Sequence, residues 1–201
     1  MEHLANCDPV MGAIVEAHGQ LDRKQRRRGR PADAYGALLR SIVGQQLSTK
    51  AARTIYARLA GLYGDRAPSP QELVDTDPDR LREVGLSRAK ASYLRSLAEH
   101  VLAGELELDR LTELPDEEVS VQLTAVRGLG QWTADMFLIF HLGRPDVLPA
   151  GDLGVRRAVQ IAYGLEALPT PAELARIAEP WRPHRSLAAL YLWSSLDNEP
   201  G

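Results

Sequence analysis

Apolar residues recur three and four positions apart along most of this chain, which is the spacing that places them on one face of an α-helix. The segment AYGALLRSIVGQQ at 34–46 shows the pattern, and so do Met136, Ile139 and Phe140 further on. No stretch shows sustained apolar–polar alternation with β-branched residues, so a sheet is not expected. The pattern predicts an all-α fold.

Start signals divide this pattern into separate helices. Ser69-Pro70-Gln71-Glu72 and Thr170-Pro171-Ala172-Glu173 each combine an N-cap, a first-turn proline and an acid at the third position. Asp77-Pro78 predicts another helix start, and Asp152 stands as the N-cap of the helical pattern LGVRRAVQIAYGL. These boundaries predict several short helices.

A glycine turn, Val126-Arg127-Gly128-Leu129-Gly130, separates two of the helical patterns. Two glycines so close together suit a tight turn with positive φ. Such a turn leaves backbone N–H groups unpaired at the start of the next helix, near Gln131, and with the helix dipole they form a phosphate site that reads no sequence. An ordinary helix–helix turn is the alternative.

Length and composition narrow the class of protein. With 201 residues and 44% hydrophobic composition, the chain can bury the core of one domain or of two small lobes. Its single cysteine, Cys7, excludes both a disulfide framework and a four-cysteine iron–sulfur cluster. No apolar run reaches membrane-spanning length and no targeting peptide stands at the N-terminus, so we expect a soluble, cytoplasmic protein.

Charge is unevenly distributed along the chain. The net charge is −3, yet the segment 23–30 holds six of the 24 basic residues and no acid. A run like this is either a solvated loop or a contact to phosphates, and both interpretations stay open. The same two interpretations apply to four cations elsewhere, namely Arg88, Lys90, Arg156 and Arg157.

Five blocks of sequence, in this order, carry a resemblance to a known family. They are the segments 41–52, 84–90, 128–134, 151–154 and 181–193. With them the chain resembles the helix-hairpin-helix (HhH-GPD) DNA glycosylases, and within that superfamily the 3-methyladenine DNA glycosylase II (AlkA-type) branch. The resemblance implies two helical lobes with an active-site cleft between them. It also implies a short form that lacks the N-terminal α+β domain of larger members.

On this basis we expect three segments. An N-terminal helix and basic loop at 1–30 would pack with the C-terminal lobe, a middle helical lobe would span 31–123, and the hairpin with the catalytic lobe would span 124–201. The resemblance further implies a monomer that acts on double-stranded DNA and is associated with the nucleoid.

The resemblance assigns catalysis to Asp152, the acid that follows the hairpin 22 positions after Gly130. Cleavage of an N-glycosidic bond builds positive charge on the sugar, and a carboxylate aimed at that charge stabilises the transition state. The same carboxylate can orient or deprotonate the attacking water. The rival acid, Asp135, is expected to be an exposed residue near the start of the preceding helix.

The resemblance also assigns a pocket for the extruded base. Trp132 stands where bifunctional relatives carry a lysine that forms a Schiff base, which implies water as the nucleophile and no strand nicking. An indole face attracts the cationic rings of alkylated purines, although simple core packing of Trp132 is the alternative. Trp193, Met136 and Leu153 would complete the pocket. Met136 and Leu153 replace aromatic residues of the best-known members, which favours a wider pocket.

The resemblance implies that two groups of residues contact DNA. Gln46, with Gln45 beside it, would be the wedge that fills the hole left by an extruded base, and a plain helix end is the alternative. The contacts to the DNA backbone would come from the hairpin and the helix after it, at Gly128, Gly130, Gln131 and Thr133.

No cofactor is needed for the expected chemistry. The resemblance does suggest a structural monovalent cation, Na⁺ or K⁺, because oxygen ligands suit a hard cation. Its ligands would be backbone carbonyls of the hairpin, at Thr124, Val126 and Leu129.

Together these features predict a monofunctional DNA glycosylase that flips out alkylated bases of the 3-methyladenine and 7-methylguanine type. It would hydrolyse the N-glycosidic bond and leave an abasic site. A noncatalytic helix-hairpin-helix DNA-binding protein and a bifunctional glycosylase/lyase are the alternatives. Which alkylated base fits the pocket is left open by the sequence.

Overall fold

The computed structural model describes residues 1–21 and 33–197, and within those ranges all regular structure is helical. The α-helices are α1 (Glu2–Cys7), α2 (Pro9–His18), α3 (Ala34–Gly44), α4 (Thr49–Gly61), α5 (Pro70–Asp75), α6 (Pro78–Glu83), α7 (Arg88–Leu102), α8 (Asp116–Ala125), α9 (Gln131–Phe137), α10 (Leu153–Ala162), α11 (Pro171–Ile177) and α12 (Arg185–Asp197).

The predicted start signals are confirmed. Ser69 and Thr170 each form a complete capping box, in which the side chain of the third helical residue, Glu72 or Glu173, accepts a hydrogen bond from the N-cap backbone. Asp77 accepts from the N–H of Asp79 at the start of α6. Local chemistry between residues two or three positions apart therefore decides where these helices begin.

The chain divides into two compact units. The first unit combines Met1–Arg28 with Leu138–Gly201, and the second unit is Gly29–Phe137. The expected lobe boundary at 123/124 thus differs from the observed one, since the hairpin and α9 belong to the second unit. The reason is that α9 packs on α8 and α3 of that unit.

The first unit has a core of helices from both ends of the sequence. Leu4 of α1, Met11 of α2 and Leu192 of α12 are completely buried in it, together with Trp181. The basic segment 23–30, whose role the sequence leaves open, lies outside the described residues.

The second unit is built around α3 and α7. Leu38, Leu39 and Ile42 of α3 and Leu94 and Leu97 of α7 are completely buried. In the described part of the chain, no helix combines the length and the apolar character that crossing a membrane requires.

One carboxylate, that of Asp8, fixes the N-terminal helices in the first unit. Its Oδ1 accepts from the N–H groups of Val10 and Met11 and so caps α2. Its Oδ2 accepts from the hydroxyl of Tyr163 and from Nε1 of the buried Trp181, the latter at 3.0 Å. Burial alone would raise the pKa of Asp8, but these hydrogen bonds outweigh it and hold the pKa below its ordinary value.

Asp8→Asn is expected to lower the free energy of unfolding by about 2 kcal/mol at neutral pH, because an NH₂ group cannot accept from Trp181 and the charged acceptor is lost. A depressed folded-state pKa stabilises the fold above the unfolded-state value and loses that effect as the pH falls through the folded-state value. Urea denaturation from pH 7 down to pH 3 should therefore show the gap between wild type and variant narrowing below about pH 4. A gap of constant size would contradict an ionised Asp8.

Candidate active site

Asp152 lies directly before α10 and caps it, as the sequence predicts. Its Oδ1 accepts the backbone N–H of Val155 at 2.8 Å, and the residue is 9% exposed. The carboxylate is thus held at the positive end of a ten-residue helix.

Trp193 on α12 is a second partner of the same oxygen. Its Nε1–H donates to Oδ1 of Asp152 at 2.9 Å, and its ring stacks on Phe140 with centroids 5.8 Å apart and planes 24° apart. Gly154 permits this approach, since a Cβ there would lie 3.2 Å from Cδ1 of Trp193 and 3.1 Å from Oδ1 of Asp152. Two donors on one oxygen therefore fix the orientation of the candidate catalytic group.

Helix α12, which carries Trp193, also anchors the loop that leads to Asp152, at Asp146. Arg185 of α12 donates from Nε to Oδ1 of Asp146 at 2.8 Å and from NH2 to the Asp146 carbonyl at 2.7 Å. Arg182 donates to Oδ2 of Asp146 at 2.8 Å. Burial would raise the pKa of Asp146, but Arg185 and Arg182 outweigh it and lower that pKa. Sequence reasoning missed this anchor, because nothing local to Asp146 identifies its partner.

Trp193→Phe tests whether the indole N–H or only the ring matters. Phenylalanine keeps an aromatic ring against Phe140 but removes the donor to Asp152. Because a hydrogen bond to a charged group contributes about 1.5 kcal/mol, we expect single-turnover base release to fall about tenfold. The melting temperature should fall by only a few degrees, so the variant should stay folded at the assay temperature. If the variant were as active as wild type, the N–H of Trp193 would not contribute to base release and only its ring would matter.

The hairpin lies in the second unit, between α8 and α9. The N–H of Leu129 donates to the carbonyl of Val126 at 3.0 Å, and both of these side chains are buried. Gly128 has a φ of +93°, and a Cβ on it would come within 2.6 Å of Cβ of Tyr93 on α7. The turn requires glycine at this position for its backbone conformation and for its contact with Tyr93.

The tight turn with positive φ that the two glycines predict is present, and its positive φ lies at Gly128 and not at Gly130. Gly130 precedes α9, and its carbonyl accepts the N–H of Ala134 at 3.1 Å as the first hydrogen bond of that helix. A Cβ on Gly130 would meet no atom within 4 Å. The residue is exposed, so its backbone is accessible.

Helix α9 carries exposed and buried candidates on different faces. Trp132 is 46% exposed, which excludes the alternative of simple core packing, and Met136 one turn later is partly exposed on the same face. Gln131 is exposed, whereas Thr133 is only 3% exposed and can offer its backbone rather than its side chain. After Phe137 the helix continues as a five-residue π-helical turn at 138–142.

The expectation of an exposed Asp135 is wrong. The residue is 7% exposed and accepts a hydrogen bond from Nε2 of Gln131 at 2.8 Å. The physical reason is that α9 buries more than a single apolar stripe, because Thr133, Ala134 and Phe137 are buried as well as Asp135.

The two candidate wedge residues follow α3 in the second unit. Gln46 is exposed and has a φ of +56°, the left-handed region that side chains other than glycine rarely adopt. Nε2 of Gln45 donates a hydrogen bond to the carbonyl of Gly128 at 2.8 Å. The structure therefore links the wedge turn to the hairpin, a connection that the sequence did not indicate.

The remaining pocket residue, Leu153, is the first residue of α10 and is 66% exposed. Leu153, Asp152 and Trp193 belong to the first unit, whereas Trp132, Met136 and the two glutamines belong to the second.

The hairpin carbonyls proposed to hold a cation are backbone oxygens, as a hard monovalent ion prefers. The carbonyl of Val126 accepts from Leu129, and a carbonyl oxygen keeps a second lone pair for an ion. Among residues 1–21 and 33–197, no three side chains of His, Cys, Asp or Glu converge as a metal site would require.

Helices α8 and α9 are joined by a glycine turn, and the next α-helix, α10, begins at an N-cap acid that a tryptophan contacts. This arrangement defines a protein of the helix-hairpin-helix class. The HhH-GPD superfamily of base excision DNA repair proteins matches residues 39–183. The chain therefore belongs to this superfamily.

Named relatives extend the similarity to nearly the whole chain. DNA-3-methyladenine glycosylase 1 of Schizosaccharomyces pombe is 33% identical over 195 residues, which cover 96% of this chain and 85% of the relative. A solved structure of 3-methyladenine DNA glycosylase from that organism, in complex with abasic DNA, has a TM-score of 0.87 at 32% identity and covers 98% of this chain and 96% of its own. The DNA-3-methyladenine glycosidase of Bacillus halodurans has a TM-score of 0.77 at 34% identity, with 95% and 90% covered.

Proposed function

We propose that this protein is a monofunctional DNA glycosylase that removes alkylated bases from double-stranded DNA. Membership in a base excision repair superfamily supports this, as do relatives named for the release of 3-methyladenine. The observation that carries the proposal is the carboxylate of Asp152, fixed at the start of α10 by Val155 and Trp193.

In the proposed reaction the bond between the base and C1′ of the deoxyribose breaks, and the base leaves with the bonding electrons. Positive charge develops on the sugar, and the carboxylate of Asp152 stabilises it. Water then bonds to C1′ and gives up a proton to Asp152 or to solvent. The products are a free base and an abasic site.

We assign recognition of the extruded base to Trp132 and Met136. An indole face attracts a cationic alkylated purine more strongly than it attracts an unmodified base, which has no positive charge. Trp132 is 46% exposed and can offer part of its ring to such stacking, and the thioether of Met136 adapts to differently shaped bases. Leu153 and Trp193 are the other residues that we propose to contact the base.

DNA contact is proposed to come from the hairpin and from the wedge turn. The N–H groups before and within the first turn of α9, at Gly130, Gln131 and Thr133, would bind phosphates with no sequence preference. Gly128 would hold the hairpin in the conformation that presents its backbone to DNA, and Gln46 would enter the base stack beside Gln45. A Na⁺ or K⁺ ion on the carbonyls of Thr124, Val126 and Leu129 would add positive charge at the same hairpin.

The proposal is tested by incubating the protein with methylated duplex DNA and identifying the released bases by mass spectrometry. We expect 3-methyladenine and 7-methylguanine, and no covalent protein–DNA adduct on borohydride reduction, because Trp132 cannot form a Schiff base. Size-exclusion chromatography of the same preparation tests the proposed monomer.

The possible outcomes separate the three functions. DNA binding without release of any base would favour a noncatalytic DNA-binding protein. A borohydride-trapped adduct would favour a glycosylase/lyase. Release of unmodified or oxidised bases alone would overturn the assignment to alkylation damage.

A further inference from the structure

The turn that carries Gln46 has an unfavourable backbone conformation and needs support from elsewhere in the second unit. Gln46 follows the C-terminal end of α3 with a φ of +56°, and a left-handed conformation costs a residue with a Cβ roughly 1 kcal/mol. The residue is exposed, so burial of its own side chain does not hold it in place. Other residues must determine the direction in which it points.

Lys90 of α7 supplies one such constraint. Its ammonium group donates to the carbonyl of Val43 at 2.8 Å and to the carbonyl of Gln45 at 2.6 Å. These are carbonyls at the C-terminal end of α3, where the helix leaves acceptors unpaired and the dipole favours a cation. The Gln45 carbonyl belongs to the peptide group that joins Gln45 to Gln46, so the bond fixes the plane from which Gln46 departs.

Two more contacts join the same turn to the hairpin. Nε2 of Gln45 donates to the carbonyl of Gly128 at 2.8 Å, and Tyr93 packs against Gly128 closely enough to exclude a Cβ. Lys90 and Tyr93 are three positions apart and share one face of α7. One helix face therefore supports both the wedge turn and the hairpin glycine.

We infer that Lys90 is a positioning residue for the insertion of Gln46 into DNA, an inference that rests on the proposed function. Lys90 is partly buried, and this burial lowers the pKa of its ammonium group. The ammonium group of Lys90 is thus partly desolvated. We assign it the role of holding backbone carbonyls rather than of contacting solvent or phosphates. The sequence suggested only a solvated cation or a phosphate contact here.

The test replaces Lys90 with methionine, which keeps most of the aliphatic stem and removes the donor. Base release by the full chain is measured on a duplex with a paired 7-methylguanine and on the same strand without its complement, where no wedge is needed. We expect Lys90→Met to slow release about tenfold on the duplex and less than about twofold on the single strand. Lys90→Arg should recover part of the duplex rate.

Arg95→Met is the matched control, because Arg95 lies on the same helix and donates a hydrogen bond to Glu99 at the exposed surface. It should leave both rates unchanged. Hydrogen exchange of the free protein gives a readout without DNA, and Lys90→Met should speed exchange of the amides of residues 45–47 several-fold while leaving those of α5 unchanged. A 2-aminopurine reporter beside the lesion follows base extrusion separately from bond cleavage.

Equal losses of rate on duplex and single strand, or unchanged exchange at residues 45–47, would overturn the assignment of Lys90. Failure of the wild type to release any base would instead overturn the proposed function. In that event the exchange and 2-aminopurine measurements still decide whether Lys90 holds the wedge.

Discussion

Asp152→Asn should lower the rate of base release by roughly 100-fold or more, since loss of one preorganised electrostatic group commonly has an effect of that size. Asparagine keeps an oxygen that can accept from Val155 and Trp193, so the cap on α10 and the fold should persist. What is lost is the negative charge that we propose to stabilise the developing sugar cation. Single-turnover release with matched thermal melts would separate the two properties.

Asp135→Asn is the control for this experiment, since Asp135 is the other acid near the hairpin and its side chain is occupied by Gln131. It should retain most of the activity. If Asp152→Asn were as active as wild type while Asp135→Asn were inactive, the catalytic role would have to move to Asp135.

Gly128→Ala should be the most destabilising single substitution in the hairpin. Alanine is strained at a φ of +93°, and its Cβ would overlap the side chain of Tyr93, so the turn or α7 must shift. Strain and overlap together are expected to lower the free energy of unfolding by about 3 kcal/mol. Chemical denaturation measures this effect, and binding to undamaged duplex should weaken in parallel.

Gly130→Ala provides the contrast, because an added Cβ there meets nothing and φ is ordinary. The stability should stay within about 0.5 kcal/mol of wild type. If Gly130 contacts phosphates as proposed, this variant should lose DNA affinity without losing stability. If Gly128→Ala were as mild as is expected for Gly130→Ala, the conformation assigned to Gly128 would be incorrect.

Features that depend on neighbours in the sequence could be predicted. The capping boxes at Ser69 and Thr170 and the cap at Asp152 each join residues three positions apart, so their residue types alone reveal them. The helical period likewise revealed the all-α fold. The family resemblance then named the acid, the tryptophans and the glutamines of the candidate site.

The contacts that hold those residues in place could not be predicted. Trp193 bonds to Asp152 across 41 positions, Lys90 to Gln45 across 45, and Gln45 to Gly128 across 83. No local pattern marks such pairs, because they depend on how helices pack. The prediction that Asp135 is exposed was wrong for a related reason, because the burial of this residue depends on which face of α9 turns inward.

The left-handed residue Gln46 bears on how such a protein can change under selection. A glycine at this position would relieve the backbone and favour a more stable fold, but it would remove the side chain proposed to enter DNA. Stability and repair therefore make opposite demands on one position. Random mutagenesis selected for heat resistance alone should drift toward glycine there, whereas survival under alkylating agents should restore a long side chain.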